Sequence, residues 1–383
     1  MKQAGVDPAG MKLMEGKALH FNLKLERIPP RLSNLLKQEM LALGGDAAVD
    51  GRGFDCSAES TGAILMGTLK QFERLTSKLE QYPAFQTLGG TLQATLKNLS
   101  KTHFTLRMRK GLLSLGKKTL LMGVLNVTPD SFSDGGLFFD KEKALARGME
   151  MVEEGADLID VGGESTRPGT KPLGQDEELR RILPVIQALI PRIDVPISID
   201  TYKSGVAREA IEAGAEMIND ISGLRFDPVL AEVAARHKVP LVLMHMRGTP
   251  ETMQTDLRYD SLFSEILLSL KASIEKAEAA GVDPDQIVID PGIGFGKSPD
   301  QNLLILKHLS EFRILGRSIL LGTSRKSFIG KILDAPDCSE RLEGTLASIA
   351  IGVLNGAHII RCHDVLQAKK AIAVADAIRL AGN

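Results

Sequence analysis

Over the last two thirds of this chain, eight short apolar runs each end on a polar residue or polar cluster. The run ends are Asn126, Asp160, Asp200, Asn219, His245, Asp290, Ser324 with Lys326, and Arg361 with His363. Leu120 to Leu125, Val195 to Ile199, Pro240 to Met244, Ile287 to Ile289 and Ile319 to Leu321 are almost continuously apolar, as strands buried on both faces are. Between the runs lie stretches of helical periodicity, among them Lys141 to Glu154, Ser204 to Ala213, Leu262 to Ala280 and Asp364 to Leu380. Eight strand-then-helix units in series predict a closed parallel (β/α)8 barrel, an α/β fold. The active site of such a barrel lies at the carboxyl ends of its strands, where these polar residues fall.

The first hundred residues follow a different pattern. His20 to Leu25 alternates in strand fashion, with Phe21, Leu23 and Leu25 on one side. Pro29-Pro30 opens a helix with a stripe of Leu32, Leu35, Leu36, Met40 and Leu43, and Gly44-Gly45 closes it. Ala47 to Val49 and Ala63 to Met66 are short strand candidates. Leu69, Phe72, Leu75 and Leu79 mark a second helix that stops at Pro83, and Phe85 to Asn98 marks a third. Thr105 to Met108 reads as a connecting strand. The pattern therefore predicts a small α+β unit over residues 1–105, of unassigned role, and a barrel over residues 106–383.

Length and composition agree with that division. The chain has 383 residues, more than the roughly 250 of a single barrel. With 47 basic and 48 acidic residues the net charge is −1, which gives no electrostatic case for nucleic acid or a membrane surface as partner. Any anion site must be local. Three cysteines, Cys56, Cys338 and Cys362, are too few and too scattered for a disulfide framework or a zinc cage. Cys56 has no nearby base and reads as an incidental thiol. Neither a signal peptide nor a membrane span is expected, so the reading is a reduced, cytoplasmic protein.

The loops after the runs carry the candidate chemistry. The first, Asn126 to Gly136, combines hydroxyls, two carboxylates, one aromatic residue and a glycine pair, and can reach over a ligand. The second, Asp160 to Gly169, offers backbone amides, a hydroxyl and a guanidinium, an anion-friendly set. Asp200, Asn219-Asp220 and Asp290 add acceptors and donors on the same rim. Gly292-x-Gly294-x-Gly296-Lys297 lacks both the Rossmann spacing and the Walker ending; it reads as a backbone platform for a flat ring. Arg361 and His363 lie on one side of the last strand with Cys362 on the other, and the pair reads as a phosphate ligand. Together these groups describe a site for a heterocycle bearing a phosphorylated arm.

Met122 to Gly136, Asp160 to Gly169, Ile197 to Thr201, Ile218 to Gly223, Met244 to Pro250, Ile289 to Lys297, Gly322 to Ser327 and Ile359 to Val365 resemble, in order, the motifs of the dihydropteroate synthases. The resemblance spans about Gly111 to the C-terminus. It implies a pterin-binding barrel, usually a homodimer, that joins 4-aminobenzoate to 6-hydroxymethyl-7,8-dihydropterin diphosphate on the folate route and is a sulfonamide target. By motif position it assigns Asp200, Asn219, Asp290 and Lys326 to the pterin edge, Arg361 to the ring, and Ile221, Met244 and Phe295 to its apolar walls. Asn126, Thr166, Arg167, Arg361 and His363 would hold the diphosphate, with Asn126 as the Mg²⁺ residue. Phe132, Asp134, Pro168, Lys326 and Ser327 would form the aminobenzoate site. The catalytic set it implies is Asn126, Asp200, Asp290, Lys326, Arg361 and His363.

The same resemblance implies Mg²⁺-assisted, SN1-like loss of diphosphate. Two other readings share part of the pattern. A methyltetrahydrofolate:corrinoid methyltransferase would keep the ring-holding Asp and Asn but has no use for Thr166-Arg167, Arg361 and His363. A non-catalytic pterin-binding module would show erosion of the loops or the anion clamp, and neither is eroded here.

Overall fold

The computed structural model describes residues 2–54, 59–128, 137–165 and 169–382. They form two compact units, Met1–Ser100 and Lys101–Asn383.

The first unit runs α1 (Pro8–Ala18), β1 (His20–Ile28), α2 (Pro30–Ala42), β2 (Asp46–Val49), α3 (Gly51–Phe54), β3 (Thr61–Thr68), α4 (Leu69–Glu80) and α5 (Gln86–Ser100). Its antiparallel sheet has the order β1-β3-β2. Alternation turns Phe21, Leu23 and Leu25 to one face; an irregularity at Arg27, with φ of 55°, then returns Ile28 to the core. Thr68 caps α4 in a capping box with Gln71, and Phe72, Leu75 and Leu79 pack inward. Leu36, Met40, Leu65, Leu92 and Leu96 complete the core. The sequence pattern passed over α1 because it buries no residue, although Asp7 before Pro8 is a cap signal and accepts from the Gly10 N–H at 2.9 Å. Cys56 lies outside the described residues.

The second unit opens with a hairpin, β4 (Phe104–Met108) and β5 (Gly111–Leu115). The barrel strands follow: β6 (Leu120–Asn126), β7 (Leu158–Gly162), β8 (Ile197–Asp200), β9 (Met217–Asp220), β10 (Leu241–Met244), β11 (Ile287–Asp290), β12 (Ser318–Leu321) and β13 (Ile359–Cys362). All pair in parallel and β13 closes on β6. The helices of this unit are α6 (Leu137–Glu153), α7 (Gln175–Leu189), α8 (Ser204–Glu212), α9 (Leu230–His237), α10 (Leu262–Ala279), α11 (Pro299–Lys307), α12 (Ser327–Leu333), α13 (Leu342–Leu354) and α14 (Val365–Leu380). No helix among the described residues is long and apolar enough to cross a membrane.

Strand alternation divides the barrel core in two. Leu121, Leu125, Ile159, Val161, Ile197 and Ile199 pack outward in a shell with helix residues such as Ile182, Val206 and Val365. Leu120, Met122, Leu158, Met217, Val242, Val288, Leu320 and Ile359 form the inner layer. Two residues further on, the inward positions become Asp160, Asn219, Met244, Asp290 and Arg361. Register keeps the strand ends level: Asn126 pairs with Gly162, Gly162 with Asp200, and Asp200 with Asn219.

The expected connector strand is the first arm of this hairpin. Phe104, Leu106 and Leu115 are buried in the same layer as Leu120 and Met122, and the Arg107 N–H donates to Gln286 Oε1 at 2.7 Å. An open barrel end would expose that layer to water, so this apolar hairpin belongs with the barrel. The compact units accordingly divide between Ser100 and Lys101, five residues before the division at 105 and 106.

Candidate active site

At the carboxyl ends of the strands, Arg361 bridges two carboxylates. Its Nε donates to Asp160 Oδ2 at 2.6 Å and its terminal nitrogen to Asp200 Oδ2 at 2.6 Å. Asp160 Oδ2 also accepts from the Asn219 amide at 3.0 Å, and the Asp160 side chain is wholly buried. Burial alone would depress the Arg361 guanidinium, but Asp160 and Asp200 reverse this and hold it above its ordinary range. Burial pushes the Asp200 carboxyl up to about 7, against the pull of Arg361.

Asp290 ends β11, and its Oδ1 accepts from the Gly292 N–H at 2.7 Å. Burial raises this carboxyl to about 6 while that N–H and Lys326 oppose the rise. The Lys326 ammonium lies 4.1 Å from the centroid of the Phe295 ring. Burial and Arg361 lower it to about 8, with Asp290 and Asp200 pulling the other way. Acceptors on Asp200, Asn219 and Asp290 thus share a rim with a cation over an aromatic face. Ile221, Met244 and Phe295 form one buried apolar cluster with Met246 and Met253.

The glycine-rich loop after β11 is a platform built on close approach. At Gly292, with φ of 71°, a Cβ would fall 1.9 Å from the His245 carbonyl oxygen; at Gly294, with φ of 82°, it would fall 3.1 Å from Lys326 Cδ. Beneath the loop the buried Lys297 ammonium lies 2.9 Å from His245 Nδ1 and donates to the carbonyls of Gly292 at 2.9 Å and Phe295 at 3.0 Å. Burial depresses Lys297 to about 7.

Asn126, Ser324, Arg361 and His363 line the same cleft, which has a volume of about 900 Å³. The Ser324 hydroxyl accepts from the His363 backbone N–H at 3.2 Å and lies 2.9 Å from His363 Nδ1. A hydroxyl has one proton to give, so we assign it to Nδ1, which leaves Nε2 carrying the ring proton. Burial and Arg361 press His363 down to about 3, so the imidazole is neutral and offers an anion a hydrogen bond. It therefore meets an anion as a hydrogen-bond donor, beside the charge that Arg361 carries. Arg325, also on the cleft wall, is held in a two-point ion pair with Asp364, its Nε donating at 3.0 Å.

Every assigned residue within the described parts lines this cleft: Asn126, Asp200, Asn219, Ile221, Met244, Asp290, Phe295, Lys326, Ser327, Arg361 and His363. Phe132, Asp134, Thr166, Arg167 and Pro168 lie outside the described residues. The sequence marks Asp160 and Ser324 as strand ends without a role, and Lys297 only as part of a loop. Asp160 follows the inward-facing Leu158 by two positions, a signal that turns its side chain into the barrel.

Residues 122–363 match the family model described as pterin binding enzyme. That match, on a barrel whose polar strand ends meet in one cleft, sets the class as pterin-binding barrel enzymes. A dihydropteroate synthase of Synechocystis is 50% identical over 267 residues, 70% of this chain and 92% of that protein. A dihydropteroate synthase structure from Xanthomonas albilineans in complex with 7,8-dihydropteroate is 39% identical with a TM-score of 0.65, covering 72% of this chain and 99% of that one. A probable bifunctional folylpolyglutamate synthase/dihydropteroate synthase of Halobacterium salinarum is 40% identical over 382 residues, 99% of this chain but 45% of that protein. The chain belongs to the dihydropteroate synthase family of transferases.

Proposed function

We propose that the chain joins 4-aminobenzoate to 6-hydroxymethyl-7,8-dihydropterin diphosphate, releasing diphosphate and forming 7,8-dihydropteroate. The observation that carries this is the meeting, in one cleft, of a hydrogen-bonding rim (Asp200, Asn219, Asp290, Lys326) with an anion side (Asn126, Arg361, His363). A pterin needs the first and a diphosphate the second. Structures of Xanthomonas albilineans relatives with 7,8-dihydropteroate and with 4-aminobenzoic acid support this reading.

The donor set fits magnesium through Asn126, a hard oxygen ligand on the cleft wall. Among the described residues no three His, Cys, Asp or Glu side chains gather for a protein-only metal site, and Mg²⁺ is commonly held by one or two protein groups together with substrate phosphates. When bound, it would supply charge neutralisation to the leaving diphosphate.

The residues of the chain do the rest. Asp290 and Asn219 orient the ring by its polar edge, and Met244, Ile221 and Phe295 exclude water from its faces. Lys326 caps the ring edge from above Phe295. As the carbon–oxygen bond breaks, the electron pair leaves with diphosphate, where Arg361 and the Nε2–H of His363 stabilise the oxygens. The electron-rich pterin delocalises the positive charge on its methylene, and Asp290 and Asp200 lie beside it. The uncharged aromatic amine attacks that carbon, and its proton passes to solvent or to the departing diphosphate. Ser327 borders the amine side.

A coupled diphosphate-release assay with both substrates, and with each omitted, tests the reaction. Release that continues without the amine would overturn it. We also read the chain as a homodimer, as the family resemblance implies, and the exposed Ile332, Leu333, Ile351 and Leu354 on α12 and α13 offer apolar surface for it. Light scattering tests that reading, and a mass of one chain at micromolar concentration would overturn it.

A further inference from the structure

The connection after β8 carries a lysine that the proposed reaction leaves unused. Lys203 follows Asp200 by three residues, and its backbone N–H donates to the Thr201 hydroxyl at 3.2 Å. Its ammonium forms an ion pair with Glu164 and donates to Glu178 Oε2 at 2.5 Å. Glu178 has a wholly buried side chain on α7, and Glu164 is nearly as enclosed. The Tyr202 hydroxyl adds a donor to Glu164 Oε1 at 3.0 Å. Burial pushes Glu178 up against the pull of Lys203.

This cluster sits where the second catalytic-face loop begins. Glu164 and its neighbour Ser165 line the cleft. Just before them, the Gly163 carbonyl accepts from an Arg181 nitrogen at 3.0 Å, and a Cβ on Gly163 would meet Ile182 at 2.8 Å. The loop start is therefore pressed onto α7 on one side and tied to the β8 exit on the other. Two buried carboxylates on different elements repel unless a cation lies between them. Lys203 is that cation, and it comes from the same short segment as Asp200.

We infer that Lys203 is a positioning residue: by holding Glu164 against Glu178 it fixes the start of the second loop relative to Asp200, so that the amine side of the cleft is set by the pterin side. This rests on the reaction proposed above. Its ammonium touches neither substrate, and its effect is on where Ser165 and the loop start stand when the amine arrives. A purely structural ion pair would change stability alone, whereas a positioning pair splits the kinetic constants.

Steady-state kinetics on the full chain decide between them, with Lys203→Met, Lys203→Arg and Tyr202→Phe compared. Lys203→Met is expected to lower kcat about tenfold and raise the KM for 4-aminobenzoate about fivefold. Calorimetric affinity for 6-hydroxymethylpterin, which lacks the diphosphate, should change by less than about twofold. Lys203→Arg should restore most of the loss, and Tyr202→Phe should move the amine KM in the same direction by a smaller factor. The inference is overturned if Lys203→Met leaves kcat and both KM values within about twofold of the parent, or if pterin affinity falls in step with the amine KM. Should Lys203→Met fail to fold, an unchanged amine KM in Tyr202→Phe overturns it. An inactive parent would instead overturn the reaction itself.

Discussion

The guanidinium of Arg361 donates at 2.6 Å to Asp160, a carboxylate with no exposed surface, although 201 residues separate the two in sequence. One oxygen of Asp160 serves both Arg361 and Asn219 while the other has no hydrogen-bond partner. Arg361 is therefore the counter-charge that faces the buried Asp160, and Arg361 depends on Asp160 for its aim.

That dependence makes Arg361→Ala doubly damaging. Loss of a desolvated charge at the anion side should cost about 2–5 kcal/mol of transition-state stabilisation, roughly 30- to several-thousand-fold in kcat/KM. The orphaned Asp160 should also lower the unfolding free energy by about 3–5 kcal/mol. Kinetics and urea unfolding on one preparation check both. A kcat/KM within about threefold of the parent would contradict the catalytic role.

The sign of the pH response follows from Asp290. Its carboxyl is raised from 3.8 to about 6 by burial. Ionised, it meets the pterin's donors with acceptor oxygens alone, whereas protonation adds a competing O–H and removes the charge, so kcat/KM for the pterin substrate should fall as pH drops through about 6. Stability runs the opposite way. Between 3.8 and about 6 the folded protein keeps a proton that the unfolded chain releases, so raising the pH across that window weakens the fold. Asp290→Asn should flatten this part of the stability profile relative to the parent, as measured by urea midpoints at several pH values. An unchanged slope would place the raised titration elsewhere.

Strand parity made most of the cleft legible in the sequence. Met122 and Leu158 face inward, so Asn126, Asp160 and Gly162 must do so as well, and each remaining strand repeats the rule. What alternation does not carry is contact across the barrel. Nothing in the run ending at Asp160 says that its carboxylate meets a guanidinium on β13, because that pairing depends on closure. Lys297 was missed for a related reason. A lysine after a glycine-rich loop reads as solvent-facing until the fold shows three carbonyls and an imidazole converging on it.

The glycine-rich platform separates two substitutions that look alike in sequence. Gly292→Ala would drive a Cβ into the His245 backbone oxygen and disturb the N–H that holds Asp290, so soluble protein without pterin binding, or no soluble protein, is expected. Gly294→Ala meets only the flexible Lys326 side chain, and the left-handed backbone should cost about 1–2 kcal/mol. Its signature should be a raised pterin KM in a folded enzyme. Equal pterin affinity in parent and Gly292→Ala would show that the platform does not set Asp290.

The two halves of the cleft should respond to different changes. Asp290→Asn keeps the shape of the side chain but removes its charge, and should weaken pterin capture and slow bond cleavage together. Ser327→Ala, on the exposed first residue of α12, should act on the KM for 4-aminobenzoate and leave pterin affinity unchanged. Equal effects of both variants on both substrates would show the halves to be misassigned.

The last prediction concerns the first hundred residues. The region aligned with this chain makes up 92% of the Synechocystis synthase, which leaves that protein little room for a counterpart of Met1–Ser100. A chain beginning at Lys101 should therefore keep synthase activity, though with altered thermal stability or oligomer size if the first unit stabilises or associates. The cut must fall there, because Phe104, Leu106 and Leu115 are buried against the lowest layer of the barrel. Beginning at Leu106 removes Phe104 and severs β4; beginning at Lys117 removes the whole hairpin and opens Leu120, Leu158 and Val242 to water. At about 1.5–3 kcal/mol for each buried side chain, losing all three should cost roughly 5–9 kcal/mol, comparable to the whole stability of many domains. The three chains should thus rank Lys101, Leu106, Lys117 in soluble yield and melting temperature, with activity following the folded fraction. A folded, pterin-binding chain from Lys101 that makes no dihydropteroate would show instead that the first unit completes the active site.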